Sequence, residues 1–368
     1  MQYSTFAAID IGSYDVILEI FEISKKQGIR SVDKICHRME LGKDTYTLGK
    51  IRPEMEEELC RVLADFVRIM EGYRVDDYRA TASSAISEAS NSLYVLGKIH
   101  QLTGLSVTVL SNSEQRFLSY KALAAMEDNF NKIIEKGTAI LDLDGGSFQI
   151  SLFDKDALVT TQNIRMGSLR IRERLAGIQS ETEHYEEMVE ELIWNEVSSF
   201  KKMYLKDRKI ENIMLIGDVF TDSVYQNIEE KTTKIISREN FNTWYEKIIR
   251  QSPMELAVKL GIPLENASLM YPSAVIYKCL IDMMGAEHIW IPGVHMTRGI
   301  AYEYAEQMKL LKGGHNFEND ILVASRNIAK RYSTGKDHIK GTTDIALTIF
   351  DSEPSACPEP GDDSACHV

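Results

Sequence analysis

Two pairs of short apolar runs, each pair joined by a turn that contains Gly and Ser, stand out along the chain. Residues 6–11 and 16–21 form the first pair, and residues 138–143 and 148–153 form the second. Apolar runs of this length on either side of a tight turn are typical of β-hairpins. The pattern therefore predicts two related hairpins, and with them two related units in the chain.

Elsewhere apolar residues recur at the spacing of an α-helix. Between residues 53 and 71 they fall on one helical face, and Pro53 occupies a first-turn position that suits proline. An acidic stretch, residues 181–191, is interpreted as the solvated face of another helix. Similar patterns predict helices over residues 90–102, 113–126, 255–260, 273–284 and 297–311, and strands over residues 105–110 and 212–216. Because strands and helices alternate, the sequence predicts an α/β fold.

The composition restricts the classes of function. The chain has 368 residues, and its net charge of -13 argues against nonspecific binding to nucleic acid or to an anionic membrane. No apolar run approaches the roughly 18 residues that a transmembrane helix needs, and the N-terminus lacks the pattern of a secretory signal, so a cytoplasmic protein is expected. The five cysteines show no zinc-ligand spacing, and Cys36, Cys60 and Cys279 are expected to be buried free thiols.

The turn of each predicted hairpin combines residue types that suit phosphate chemistry. Asp10 and Asp142 stand near the ends of their strands, where a carboxylate can hold a hydrated Mg²⁺ ion. Glycine and serine in the turns expose backbone N–H donors that can surround a phosphate. The candidate phosphate-binding residues are Gly12, Ser13, Gly145, Gly146 and Ser147, with Gly217 in a third turn after another strand. A single Asp–Gly turn is common in hairpins without special function, but two in corresponding positions indicate a shared site.

Five ordered motifs connect this pattern to a known family. They are residues 7–13, 80–89, 110–120, 166–170 (Met-Gly-Ser-Leu-Arg) and 299–303 (Gly-Ile-Ala-Tyr-Glu). The paired turns resemble those of the actin-like ATPase superfamily, and the motifs resemble the exopolyphosphatase and guanosine pentaphosphate phosphohydrolase family. The resemblance implies two RNase-H-like lobes around a central cleft, over residues 1–130 and 131–312. It also implies that the helix at residues 297–311 packs back on the first lobe, and that residues 313–351 begin a truncated helical domain. The tail, residues 352–368, is expected to be disordered.

For function, the resemblance implies Mg²⁺-dependent hydrolysis of the terminal phosphoanhydride of polyphosphate or guanosine pentaphosphate. Asp10 and Asp142 would hold the metal, and Arg170 would contact a phosphate. Members of this family commonly form homodimers, so a homodimer is expected here. The implied partners are therefore a phosphate polyanion and a second copy of the chain.

Two substitutions set this chain apart from the family pattern. The family has a glutamate that activates water where this chain has Gln115, and a second functional glutamate where it has Gln149. A glutamine orients a water molecule but does not accept its proton, and loss of a general base typically costs about 10²- to 10⁴-fold in rate. Glu114 and Asp144 are candidate replacement acids. Alternatively, Glu114 interacts with a helix dipole and Asp144 suits the turn. Ser87 also replaces an expected arginine.

Three functions remain open at this point. They are a phosphoanhydride hydrolase, a catalytically inactive protein that binds polyphosphate or a nucleotide in the same cleft, and an ATP-using actin-like protein with an adenosine pocket near Gly217. Residues 218–220, Asp-Val-Phe, depart from the family's Ala-Ser-Gly and do not separate these functions. The Gly-Lys-Ser/Thr ending of a Walker loop is absent from the second turn. His184 and His295 are isolated in the sequence and are interpreted as surface or satisfied core residues.

Overall fold

The computed structural model covers most of the chain. The described residues are 3–126, 130–155, 157–176, 185–206, 208–227, 234–311 and 335–352, with residues 322, 323, 325, 326, 329 and 332. The expected disordered tail beyond residue 352 and His184 lie outside the described residues, as does most of the proposed start of a helical domain before residue 335. Those interpretations stay predictions.

A five-stranded sheet and four helices form the N-terminal lobe. The strands are β1 (Ser4–Ile11), β2 (Asp15–Ser24), β3 (Gly28–Arg38), β4 (Asp77–Ala82) and β5 (Val107–Val109), and the helices are α1 (Leu41–Leu48), α2 (Pro53–Tyr73), α3 (Ser84–Ser87) and α4 (Ser92–Thr103). The strand order is β3-β2-β1-β4-β5. The pairs β1–β2 and β2–β3 are antiparallel, whereas β1–β4 and β4–β5 are parallel.

A six-stranded sheet forms the second lobe. Its strands are β6 (Thr138–Leu143), β7 (Phe148–Asp154), β8 (Ala157–Ile164), β9 (Asn212–Ile216), β10 (Ile235–Ser237) and β11 (His288–Trp290). The remaining helices are α5 (Asn112–Met126), α6 (Phe130–Ile134), α7 (Ser168–Leu175), α8 (Tyr185–Phe200, followed by a π-helical turn at Lys201–Leu205), α9 (Val219–Asn227), α10 (Arg238–Ile249), α11 (Pro253–Leu260), α12 (Leu264–Met284), α13 (Met296–Gln307) and α14 (Lys336–Ser352).

The two sheets share one topology. Read from the antiparallel edge, β3-β2-β1-β4-β5 in the first sheet corresponds to β8-β7-β6-β9-β11 in the second. In both sheets a central strand pairs antiparallel with the strand that follows it and parallel with a later strand. Strands β1 and β6 are therefore equivalent. The predicted α/β fold with two related lobes is confirmed, while the exact lobe boundaries stay predictions.

Helix α13 packs back on the first sheet, next to α5. Phe6 of β1 stacks on Tyr304 of α13 with ring centroids 4.1 Å apart, in a buried apolar cluster that also contains Leu118 of α5. Gly299 allows the two helices to touch, because a Cβ atom at this position would lie 2.0 Å from the backbone oxygen of Leu118. Close packing of this kind fixes how the second half of the chain sits on the first.

Some predicted elements differ from the observed ones. The strand expected over residues 105–110 is confined to Val107–Val109. The helix expected from residue 273 begins at Leu264. Pro272, next to the predicted start, lies inside this helix, and the residues around it are buried. Strand β3 was not predicted, since it is an edge strand whose exposed positions are largely polar.

Cys36, Cys60 and Cys279 differ in exposure. Cys60 is buried as expected and Cys279 is half-buried, but Cys36 is exposed on the edge strand. The expectation for Cys36 was wrong, since β3 had not been recognised.

Within the described part of the chain, no helix is both long enough and apolar enough to cross a membrane.

Candidate active site

The two aspartate turns meet in one cavity between the lobes. We call residues 10–13 the first turn and residues 142–147 the second turn. Asp10 pairs with Ile17 across the first hairpin, and Asp142 pairs with Gln149 at the equivalent place in the second. The cavity has a volume of about 270 Å³. Of the candidate site residues, those in its wall are Asp10, Gly12, Asp142, Asp144, Gly145 and Gly217.

The cavity is strongly acidic. Six aspartates line it: Asp10, Asp15, Asp142, Asp144, Asp218 and Asp222. Burial raises the pKa of Asp10 to about 8, and repulsion from Asp15, Asp144 and Asp142 adds to the shift. Burial also raises the pKa of Asp142 and of Asp144 to about 6, and that of Asp218 to about 7. Crowded carboxylates of this kind favour either protons or a bound cation.

Asp10 and Asp142 offer suitable ligands for a hydrated Mg²⁺ ion. Oδ1 of Asp10 is buried and has no hydrogen-bond partner among the described residues, whereas Oδ2 of Asp142 accepts a bond from the Ser119 hydroxyl at 2.6 Å. A divalent cation would satisfy the free oxygen and offset the repulsion between the carboxylates. The described residues contain no group of three or more His, Cys, Asp or Glu side chains arranged around one metal position. This still suits Mg²⁺, which usually keeps several waters and takes only one or two carboxylates.

Other candidate phosphate-binding residues hold the lobes together instead of facing the cavity. The hydroxyl of Tyr46, on α1, lies 2.6 Å from Oγ of Ser13 and 2.9 Å from Oγ of Ser84. A Cβ atom at Gly146 would lie 2.0 Å from the Tyr46 hydroxyl, so the second turn packs directly on this ring. The guanidinium of Arg170 stacks on the Tyr46 ring, with Cζ of Arg170 3.8 Å from the ring centroid.

Arg170 also contacts residues of both lobes. Its Nε donates to the carbonyl of Gly146 at 2.9 Å, and its Nη2 lies 3.0 Å from a carboxylate oxygen of Glu88. Ser147 is buried and, like Arg170, is not in the cavity wall. These side chains form an interlobe contact, which we call the Tyr46 cluster: Ser13, Tyr46, Ser84, Gly146 and Arg170.

The two glutamines and Glu114 also lie outside the cavity wall. The buried Gln115 donates from Nε2 to the carbonyl of Leu110 at 3.2 Å. Gln149 is buried beside Asp142, and its Oε1 has no partner among the described residues. Glu114 accepts a bond from the backbone N–H of Ser111 at 2.7 Å, and hydrogen bonds from the Ser111 side chain and then from this N–H lower the pKa of Glu114. Glu114 therefore caps helix α5, in agreement with the alternative interpretation from the sequence.

The cavity lining also contains residues for which the sequence predicted no role in the site. Lys34 and Arg38, four residues apart on β3, line the cavity. His295 lines it too, with Nε2 3.5 Å from Oδ1 of Asp222. Burial lowers the pKa of His295, and Asp222 opposes the shift. The interpretation of His295 as an isolated histidine missed this pair, because the two residues come from α9 and from the segment before α13.

Comparison with known proteins places the chain in a family. The sequence profile of the Ppx/GppA phosphatase family matches residues 19–308. The chain belongs to the Ppx/GppA phosphatase family. Its membership agrees with the resemblance found in the motifs.

Individual relatives of the Ppx/GppA chain are distant. A bifunctional 3-dehydroquinate synthase/phosphatase of Fusobacterium nucleatum is 21% identical over 310 residues, covering 77% of this chain and 44% of that protein. Exopolyphosphatase 1 of Mycobacterium tuberculosis is 24% identical over 144 residues, covering 39% of this chain and 40% of that protein. The chain thus spans less than half the length of these curated relatives.

Solved Ppx/GppA structures share the fold. An exopolyphosphatase from Cytophaga hutchinsonii has a TM-score of 0.74 at 17% identity, covering 83% of this chain and 98% of that one. The Ppx/GppA family member from Aquifex aeolicus has a TM-score of 0.67 at 18% identity, covering 83% and 99%. At these identities the likeness shows the two-lobed fold alone.

Proposed function

We propose that the chain hydrolyses the terminal phosphoanhydride bond of polyphosphate or of guanosine pentaphosphate and depends on Mg²⁺. The observation that carries the proposal is the meeting of two equivalent aspartate turns in one cavity, within a chain of the Ppx/GppA phosphatase family. Asp10 and Asp142 are equivalent residues, and the free Oδ1 of Asp10 provides an unsatisfied ligand.

The charge of the cavity supports the requirement for a cation. A phosphate that enters alone meets six aspartates, and those that are ionised repel it strongly in a partly buried site. When bound, Mg²⁺ would supply positive charge that neutralises the phosphate oxygens and polarises the bond to be broken. Asp10 and Asp142 would hold it, while Lys34 and Arg38 in the same lining attract the remainder of the polyanion.

In the proposed reaction, a water molecule attacks the terminal phosphorus. The bond from phosphorus to the bridging oxygen breaks, and its electron pair leaves on the shortened phosphate chain. The proton of the water passes to a base in the cavity. Gln115 and Gln149 do not serve as that base, and neither lines the cavity, so we expect a slower reaction than a general base would allow.

A second candidate is a protein that binds polyphosphate or a nucleotide without turnover. The observation that favours it is the pair Gln115 and Gln149, since an amide accepts no proton at neutral pH. Under this alternative the cavity keeps its metal ligands and loses only the step that activates water. The expected homodimer is compatible with either candidate and stays a prediction.

Phosphate release separates the two candidates. Polyphosphate and guanosine pentaphosphate are incubated with Mg²⁺ and either the natural protein or the Gln115→Glu plus Gln149→Glu double variant. We expect Mg²⁺-dependent release from the natural protein. Release from the double variant that is faster by about 10²-fold would show that a glutamate at one of these positions reaches the attacking water. Gln101→Glu on the exposed face of α4 is the control for the same chemical change. Tight binding of a substrate with no release by the natural protein would establish the binding protein instead.

A further inference from the structure

The two turns differ at one position that the topology makes equivalent. The N–H of Gly12 donates to the carbonyl of Asp15 at 2.9 Å, and the N–H of Asp144 donates to the carbonyl of Ser147 at 2.9 Å. Both bonds close the turn that links the two strands of a hairpin, so Asp144 takes the place of Gly12. The first turn therefore presents bare backbone to the cavity at this point, and the second turn presents a carboxylate.

The Asp144 carboxylate contacts donors from both turns. Its Oδ1 accepts a bond from the N–H of Gly145 at 2.6 Å, and its Oδ2 accepts one from the hydroxyl of Ser13 at 3.4 Å. Backbone N–H groups of a glycine turn and serine hydroxyls are the groups that bind phosphate in such turns. The side chain thus occupies the N–H of Gly145, a residue that lines the cavity and could otherwise bind an external phosphate.

Packing leaves little room for a phosphate beside this carboxylate. A Cβ atom at Gly145 would lie 3.3 Å from Cβ of Ser13 and 3.2 Å from Cβ of Leu169. On the far side of the turn, Gly146 contacts the Tyr46 hydroxyl. Within the second turn, Asp142, Asp144 and Gly145 line the cavity, and Asp144 is the one that takes the place of a glycine of the first turn.

We propose that the Asp144 carboxylate is an internal anion that fills the phosphate position of the second turn and excludes a phosphate that arrives without a cation. Asp144 is in this sense a specificity-determining residue of the proposed site, and the inference rests on the proposed function. A phosphate that approaches with a divalent cation brings the charge that offsets the carboxylate, whereas a free phosphate meets a like charge at close range.

Equilibrium binding of inorganic tripolyphosphate tests the proposal without turnover. Titration calorimetry in a chelator, and again with Mg²⁺, is run on the natural protein, Asp144→Gly, Asp144→Asn and Asp222→Asn. Asp144→Gly gives the second turn the glycine that the first turn has at the equivalent position. Asp144→Asn keeps the shape of the side chain without its charge. Asp222→Asn is the matched control, because it makes the same chemical change at another position of the same cavity, on α9.

Without Mg²⁺ we expect Asp144→Gly to bind tripolyphosphate at least about tenfold tighter than the natural protein. Asp144→Asn should lie between the two, and Asp222→Asn should gain less than Asp144→Asn, because the Asp222 carboxylate lies beside His295 and contacts neither turn. With Mg²⁺ the differences should shrink. If Asp144→Gly does not fold, as judged by its thermal melt, the comparison of Asp144→Asn with Asp222→Asn decides.

Two results overturn the inference. Equal gains in the Asp144 and Asp222 variants would mean that only the summed charge of the cavity matters. Weaker binding by the Asp144 variants, in particular with Mg²⁺, would mean that Asp144 holds the cation. Phosphate release, measured on the same proteins, is a separate result: tighter binding by Asp144→Gly with no release from any protein would contradict the proposed hydrolysis and leave the internal anion standing.

Discussion

Asp10 is expected to make the stability of the Mg²⁺-free protein fall as the pH rises. Burial and the neighbouring carboxylates raise its pKa from 3.8 to about 8, so between these values the folded state holds a proton that the unfolded state has released. This stabilisation is fully present below the unfolded-state value and is lost as the pH rises through the folded-state value. One such proton changes the free energy of unfolding by about 1.4 kcal/mol per pH unit. Raising the pH from about 6 to about 8 should therefore cost on the order of 2 kcal/mol at Asp10.

The assay compares urea unfolding of the natural protein and Asp10→Asn at these two pH values in a chelator. Groups that titrate far from the cavity affect both proteins equally, so the difference between their pH dependences reports Asp10 together with its coupling to the neighbouring carboxylates. Asp65→Asn, at an exposed position of α2, should behave as the natural protein does. Adding Mg²⁺ at the higher pH should stabilise the natural protein more than Asp10→Asn. An identical pH dependence for the natural protein and Asp10→Asn would refute the reasoning, as would greater stability of the natural protein at the higher pH.

Two further predictions concern packing. Tyr46→Phe removes a hydroxyl that bonds to two serines and should lower the free energy of unfolding by about 1 to 2 kcal/mol. The control is Tyr73→Phe, which removes a hydroxyl bonded to an aspartate at the surface and should leave urea unfolding unchanged. Equal effects of the two variants would contradict a role for the Tyr46 cluster. Gly299→Ala places a methyl group against the backbone of α5 and should cost at least about 1 to 3 kcal/mol. Gly97→Ala, in open space on helix α4, should be neutral or stabilising by up to about 1 kcal/mol; a thermal melt in which Gly299→Ala is equally harmless would show that the helices do not pack as described.

The hairpins and the equivalence of the lobes could be predicted from local pattern. Apolar runs that flank a glycine turn determine hairpins within a few residues, and Asp10, Gly12, Asp142 and Gly145 follow from that pattern. Their meeting in one cavity was implied by the resemblance to two-lobed proteins with a central cleft, because a repeat alone does not show how two lobes face each other. The structure brings the two turns together in one lining.

The rest of the site depends on contacts that are distant in sequence. Ser13 lies 33 positions from Tyr46 and 131 from Asp144, so no local spacing shows that Ser13 belongs to an interlobe contact. His295 and Asp222 likewise come together only in the folded chain, since Asp222 belongs to α9 and His295 precedes α13. The role of Arg170 was assigned by motif alone, whereas its stacking on Tyr46 depends on how the lobes pack.

The departures from the family pattern also acquire a physical meaning in the structure. Asp144 could be a replacement acid or a turn residue on sequence grounds, and its contacts with Gly145 and Ser13 point to an anion held by the turns. Glu114 is engaged at the start of α5 by Ser111. A charged residue next to a missing catalytic group is therefore not by itself a substitute for it.

Mg²⁺-dependent phosphate release by the natural protein and by Asp10→Asn tests the central claim most directly. Release from polyphosphate and from guanosine pentaphosphate is measured with a saturating concentration of Mg²⁺ and again in a chelator, with Asp65→Asn as the control. The account predicts release that requires Mg²⁺ and falls by about 10²-fold or more in Asp10→Asn. Release that continues in the chelator, or that Asp10→Asn leaves unchanged, would contradict it.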